Sequence, residues 1–421
     1  VLDELIRGGS PQLPQGVRSG NTEELTGYHW KTLWASMTGY AMDGLDLMVI
    51  SYVLGLIMKS LHLTPAEAGG VATLTLMGAV LGGYAFGILA DLYGRVKTFS
   101  LSILIFAVFT GLTALATNLF WLDATRFIAG IGLGGEFGIG MTLVSEVWPS
   151  KYRSRATAVV AVGFQLGMIL ALLCAMFLVP RFGWQSAFLV GTLPALFAWW
   201  SRRHLQEPPL WQQQTKSKKD EGFPLRQLFQ SPRATGTTLG LTIMTSVQNF
   251  GFYGIMTWLP TMLAKQLNFP FNKSLTWTLV TIVGMMVGIL VFGQLADRWG
   301  RRPTYLVFQL GSAVIVWIFF HQVNPTSLLF LGFFLGFLVD GMMGGYGAIL
   351  AEHYPTHARS TAENFIFNTG RAVGGFGPFV IGTLAMTHSL SWAMGLLSGI
   401  YLLSALALLL LVPETKGKVL A

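Results

Sequence analysis

Charge is what this chain has least of. Of its 421 residues only 11% are Asp, Glu, Lys or Arg, whereas a soluble domain carries about 25%. A chain this poor in charge, and 52% hydrophobic, has to face lipid over most of its surface. Cysteine is nearly absent. The single Cys174 lies in an apolar run, which excludes a disulfide framework and a cysteine-based metal site. The seven histidines (His29, His62, His204, His321, His353, His357 and His388) are scattered, mostly at the ends of apolar runs. His353 and His357 are four apart, a spacing that can bind metal, but they stand beside Arg359 and read as a solvated turn. No P-loop, nucleophile elbow or zinc signature occurs. That counts against an ATP-driven pump and against an enzyme, and no cofactor or metal is expected. The net charge of +8 could suggest nucleic acid, but the basic residues sit in short loops between apolar runs. Such a pattern reports membrane topology, so no nucleic-acid partner is expected.

What the chain has is a repeat. Residues 87–98 read GILADLYGRVKT and residues 293–304 read GQLADRWGRRPT, which sets Asp91 and Arg95 206 residues before Asp297 and Arg301 (297 − 91). The same interval relates LVSEVWPSKYRS (143–154) to ILAEHYPTHARS (349–360), with Glu146 and Arg153 in register with Glu352 and Arg359. Two copies of one apolar bundle with charged loops in matching places form a transporter architecture, because repeated halves can rock about a shared site.

A membrane span needs about 20 apolar residues. That criterion predicts twelve: 31–58, 66–90, 97–117, 119–147, 155–179, 184–203, 236–263, 274–296, 303–322, 326–353, 359–386 and 390–412. The fold class is therefore an all-α membrane protein, with twelve helices in two pseudo-symmetric six-helix bundles, 30–203 and 236–412. A polar central loop, 204–235, carries Lys216, Lys218, Lys219, Arg226 and Arg233 and separates the halves. Lys and Arg concentrate in the even-numbered loops. The positive-inside rule then puts both termini and the central loop in the cytoplasm, with the protein in a bacterial inner membrane. Residues 1–29 have no apolar core, so a flexible cytoplasmic tail is expected there instead of a cleaved leader, and 413–421 form a second tail.

The motif G-x-L-A-D-x-x-G-R, present at 87–95 and 293–301, resembles the loop signature of the major facilitator superfamily. RFIAGIGLGGE (126–136) resembles that family's fourth-span pattern. EPPLW (207–211) and PETKG (413–417) are similar to the endings of its sugar-porter-like members. Asp43-Gly44-Leu45-Asp46 resembles the D-G-x-D element of aromatic-acid:proton and sialate:proton symporters, and the GGE at 134–136 resembles the sialate and metabolite:proton branches. The first loop copy departs from the pattern in having Val96 where the second has Arg302, one cation fewer. The resemblance implies a span-one aspartate, Asp43 or Asp46, that pairs with Arg126 and releases it on protonation. The alternative is a permanent structural ion pair.

Six ionisable residues fall at membrane depth: Asp43, Asp46, Arg126, Glu136, Asp340 and Arg371. Such groups are costly to keep in lipid and are functional candidates by default. At ~1.5 Å per residue, Asp43 and Asp46 lie ~18–22 Å into span one, and Glu136 lies at a similar depth, ~15 Å beyond Arg126. Four acids against two arginines leave a surplus of two negative charges in a low-dielectric interior. At least one acid is therefore expected to hold a proton near neutral pH. Asp43, Asp46, Arg126 and Glu136 are the candidates for proton coupling.

Arg371 is the candidate for gripping an anion, since its planar fork matches a carboxylate. Asn364, Asn368 and Arg371 follow i, i+4, i+7 spacing and form a polar stripe. Gln165 is the first-half counterpart of Arg371 (371 − 206), and Asn249 that of Asp43. With Gln248, Tyr253 and Asp340 these make up the expected substrate site. A pairing of Arg371 with Asp340 or Glu136 purely for packing is the competing reading. The loop residues Asp91, Arg95, Glu146, Arg153, Asp297, Arg301, Glu352 and Arg359 are expected to act as a conformational latch, since ion pairs at helix ends can exist in one state and break in another. The alternative for them is a solvated turn with surface pairs.

The expected function is a proton-coupled symporter importing a small organic anion, a sialate-like sugar acid or an aromatic or short acid, each chain working alone. A proton-driven exporter of amphipathic compounds, which would not need Arg371, is the rival within transport. A non-transporting membrane sensor is the rival outside it.

Overall fold

The computed structural model describes residues 25–63, 65–193, 196–197, 200, 204–217, 224–267 and 271–420, and every regular element among them is helical. Span one is Gly27–Leu61, span two Pro65–Tyr93, span three Arg95–Thr113 and span five Arg153–Phe177. Span four comes in two pieces, Leu119–Gly134 and Glu136–Val147. The short helix Val179–Phe182 leads to span six, which opens with Gln185–Val190 and is described only in part beyond it. In the second half, spans seven, eight and nine are Pro232–Leu267, Phe271–Trp299 and Arg301–Phe320. Span ten is broken into Pro325–Val339 and Met343–His353. Span eleven is Thr356–Gly374 followed by Gly377–Leu384, and span twelve Leu390–Gly395 followed by Leu397–Leu411.

Two expected boundaries shift. Span one begins at Gly27, inside the stretch expected as a tail, and residues 1–24 of that tail lie outside the described residues. The described residues of the central loop include a helix at Pro209–Ser217 and a 3-10 turn at Pro224–Phe229, and span seven already starts at Pro232. Lys218 and Lys219 lie outside the described residues.

Among the described residues, eight helices are long and apolar enough to cross a membrane by length and composition. Spans one, six, seven and eleven are not among them, and three of these, spans one, seven and eleven, carry the central polar residues. Those residues are Asp43 and Asp46, Gln248 and Asn249, and Asn364, Asn368 and Arg371.

The repeat extends from motifs to backbone details. Asn118 caps span four by accepting from the Trp121 N–H (2.9 Å), and Asn324, 206 residues later, caps span ten by accepting from the Thr326 N–H (2.9 Å). Span four breaks at Gly135, and span ten breaks at the matching Asp340–Gly341–Met342. Leu101, Leu104 and Val108 point outward on span three, as Val307, Leu310 and Val314 do on span nine, each set 206 residues from the other. These stripes, exposed in the isolated chain, are the lipid-facing sides. Inside, spans one and five, two and four, seven and eleven, and eight and ten pack closely in pairs. Glycine makes that approach possible: a Cβ on Gly134 would overlap the Ala79 carbonyl, and one on Gly167 the Ala41 carbonyl.

Candidate functional site

The two span-one aspartates serve different arginines. Asp46 is buried and receives a two-pronged contact from Arg126 (Nη1 3.0 Å, Nη2 2.7 Å), with the Thr110 hydroxyl donating to it at 2.6 Å. The Arg126 guanidinium also lies 5.7 Å from the Phe188 ring centre. Asp43, on the same helix face one turn away, meets Arg371 of span eleven instead, at 3.3 and 3.4 Å. Arg371 donates from Nε to the Tyr253 hydroxyl (3.3 Å) and lies 6.0 Å over Phe367. The competing pairing of Arg371 with Asp340 or Glu136 is therefore not what the structure has. The Arg371–Asp43 pair instead ties the two halves together at their centre.

The other two acids have no arginine among the described residues. Asp340 sits in the span-ten break, where the Gln165 amide donates to it at 2.7 Å and the Gln248 amide at 3.1 Å, one from each half. Glu136 opens the second piece of span four, and both its oxygens are buried without a hydrogen-bond partner. The surplus of two acids read from the sequence thus falls on Glu136 and Asp340.

A central cavity is lined by Gln165, Gln248, Asn249, Tyr253, Asp340 and Arg371, all expected there, together with Tyr40, Phe164, Phe252, Met343 and Phe367. The sequence reading missed the aromatic wall. Tyr40 stands three residues before Asp43 and Phe367 four before Arg371, so a face-by-face reading of those helices would have found both. Asn249 reaches the cavity, but its amide donates to the Thr245 carbonyl of its own helix (2.8 Å).

Asn364 and Asn368 are corrections, because neither lines the cavity. Asn368 donates to the Gly134 carbonyl (3.0 Å) across the interface between halves, and Asn364 donates to the Ser360 carbonyl (3.0 Å). Any side chain on Gly83 would strike Asn368, and one on Gly138 would strike Asn364. The stripe is real, but its lower two members lie where the halves close on each other. There the amides fill the gaps left by glycines.

The latch residues are not a solvated turn; all eight are buried or nearly so. Asp91 pairs with Arg95 (3.0 Å) and accepts from the N–H groups of Ser360 (3.2 Å) and Thr361 (2.7 Å) in the opposite half. Asp297 pairs with Arg301 (3.2 Å) and accepts from Ser154 (3.2 Å) and Arg155 (3.1 Å). Glu146 takes Arg95 (3.1 Å) and, across the interface, Arg359 (2.7 Å). Glu352 takes Arg301 (2.7 Å) and, across the interface, Arg153 (2.8 Å). Every partner of one set is 206 residues from its counterpart. The ends of the halves that carry the motifs are locked together. The two closing motifs explain themselves here as well: Glu207 accepts from Val96 and Lys97 (both 3.1 Å) and Glu414 from Arg301 and Arg302 (both 2.9 Å), each carboxylate at a helix N-terminus. Gly94 (φ 117°) and Gly300 (φ 114°) sit beneath them in a backbone conformation that L-residues avoid.

His353 and His357 also differ from expectation. His353 is half-buried and donates to the Ile349 carbonyl (2.6 Å), and His357 is buried. No group of metal-ligating side chains occurs among the described residues.

The family model "Major Facilitator Superfamily" matches residues 36–290 and 276–421. A putative metabolite transport protein of Haemophilus influenzae is 50% identical, over 95% of this chain and 100% of its own. The cis,cis-muconate transport protein of Acinetobacter baylyi is 30% identical (94% and 98%), and the sialic acid transporter NanX of Escherichia coli 30% (92% and 95%). Among solved structures, the proton:xylose symporter XylE superposes with a TM-score of 0.75 at 19% identity, over 93% of this chain and 98% of its own. The duplicated motifs, the paired halves and these matches converge: the chain is a multi-pass membrane protein, not an enzyme, and belongs to the major facilitator superfamily of transporters.

Proposed function

We propose that this transporter imports a small organic anion together with protons, by alternating access. The observation that carries the reading is Arg371, which lines the central cavity and is held by Asp43. A proton on Asp43 removes the acid that holds the guanidinium. Arg371 is then free to take a substrate carboxylate with two parallel hydrogen bonds. Asp46 and Arg126, one turn away, form a second pair that a proton can open, and the unpartnered Glu136 lies beside both. Asp340, held only by amides, can accept from a substrate hydroxyl or hold a proton itself. The aromatic wall of Tyr40, Phe164, Phe252 and Phe367 suits a ring or conjugated chain. The similarity to a cis,cis-muconate transport protein and a sialic acid transporter supports a carboxylate.

In this reading the chain sits in a bacterial inner membrane with both termini and the segment 204–235 in the cytoplasm. The bundles 30–203 and 236–412 are the rocking units, each chain works alone, and the locked end is the cytoplasmic one. Purified protein in proteoliposomes with an imposed pH gradient, offered labelled cis,cis-muconate, N-acetylneuraminate and benzoate, tests it. At least one acid should accumulate inward, a protonophore should abolish accumulation, and Arg371→Ala should weaken apparent affinity at least tenfold, about 1.4 kcal/mol. Accumulation indifferent to the protonophore, or unchanged affinity in Arg371→Ala, overturns the proposal. Outward substrate-dependent flux would favour an exporter.

A further inference from the structure

Glu363 lies on span eleven, one turn beyond Arg359 of the latch and about 12 Å along the helix from Arg371. It is fully buried, and neither carboxylate oxygen has a hydrogen-bond partner. The Thr142 hydroxyl of span four lies beside it. The charges facing it are Arg359 on its own helix and Glu146 and Asp91 from the other half. Arg359 is engaged by Glu146 at 2.7 Å, and Asp91 by Arg95 at 3.0 Å. This cluster therefore holds three acids against two arginines. The matching place in the other latch (363 − 206) is Thr157, whose hydroxyl donates to the Arg153 carbonyl (3.1 Å). Only one of two otherwise duplicated latches carries a spare acid.

We infer that Glu363 is a proton-release site that ties opening of the cytoplasmic face to loss of a proton. This rests on the proton-coupled reading and the orientation proposed above. While the halves are closed, an ionised carboxylate without hydrogen bonds is too costly at this position, so Glu363 is a neutral acid. When the halves part, Glu146 leaves with its own half, water enters, and Arg359 remains one turn from Glu363 on the same helix. The O–H bond of Glu363 then breaks, its proton passes to cytoplasmic water, and the resulting carboxylate takes over Arg359. Re-closing requires a proton to return to Glu363, or Arg359 cannot go back to Glu146 without stranding a buried charge.

Spin labels on Tyr93→Cys and Trp299→Cys, exposed at the locked end of either half, in a Cys174→Ser background and lipid nanodiscs, measure the gate without substrate. Electron–electron resonance distances should lengthen as pH rises. Glu363→Gln, which mimics the protonated acid, should stay short at every pH, and Glu363→Asp should keep the titration. A Glu363→Gln gate that opens at the parent's pH, or a parent gate that ignores pH, overturns the inference. As a second reading that needs no neutral substitution, infrared difference spectra between acid and alkaline samples should show a protonated-carboxyl band that Glu363→Asp shifts; an unshifted band also overturns it. Failure of the proton-coupling reading shows instead as pH-independent uptake in proteoliposomes with the gate titration intact.

Discussion

The two latches share one blueprint and differ in what has been added to each. In both, an aspartate holds the arginine four residues on and accepts from backbone N–H groups of the opposite half, and a glutamate joins two arginines across the interface. The latch around Glu146 has gained Glu363, an acid without a partner. The latch around Glu352 has gained contacts: the Thr415 hydroxyl donates to Glu352 at 2.6 Å, Arg301 adds an Nε donor at 3.0 Å, and Arg153 donates to the Lys418 carbonyl at 3.1 Å. Duplication supplied a symmetric lock. The additions leave one latch with a buried acid that no arginine holds and give the other more contacts to its glutamate and arginine.

The largest effect expected from breaking this comparison is at the central acids. Glu352→Gln and Glu146→Gln each leave two buried guanidinium groups short of a partner, at a cost of about 3–5 kcal/mol. Glu352→Gln should be the costlier, because it also loses the Arg301 fork and Thr415. Apparent Tm in detergent measures both, and equal losses would mean that the extra donors add nothing. Next come the glycines. Gly94→Ala and Gly300→Ala force an L-residue into a positive-φ, extended-ψ region that is almost exclusive to glycine, about 1–3 kcal/mol each. A Cβ there would also come within 2.5 Å of Glu207 and 2.8 Å of Glu414 respectively, displacing the carboxylate that caps the helix. Matching losses in the two variants are expected, and a silent one would break the symmetry at the backbone level.

The smallest effect is a pH dependence of stability at Glu414, the carboxylate capping span nine beside the second latch. Burial alone would raise the Glu414 carboxyl, but N–H donors from Arg301, Arg302, Lys416 and Thr415 outweigh it and hold the group below the usual carboxylate range. A depressed carboxyl contributes stability above its unfolded value of about 4.3, and that contribution is lost as pH falls through the lower folded value. Glu414→Gln should therefore lower Tm at neutral pH and converge with the parent in acid. Parallel curves across the whole range would count against it.

Much of this lock was legible in advance. A 206-residue interval that preserves Asp, Gly, Arg and Glu at once leaves little freedom about which residues meet, since each half reads the other's copy. The central site was less legible. Asp43 and Asp46 share a face and a depth, and either could have served Arg126 on sequence grounds. Asn364 and Asn368 share a stripe with Arg371, and only the closure of the halves separates them from the cavity. Glu363 escaped notice because it reads as one more charge at the end of a span.

The sequence by itself determined the apolar spans, the duplication, the family and the roster of charges, because hydropathy, spacing and repeat interval are properties of one dimension. The tertiary structure alone decided that Asp46 belongs to Arg126 and Asp43 to Arg371, that Glu136, Asp340 and Glu363 have no arginine of their own, and that aromatic rings line the cavity. Helical rise fixes how deep a residue lies. Which way it faces, and which remote helix comes to meet it, depends on how glycine-lined surfaces pack, and that packing is settled only when both halves close around the same centre.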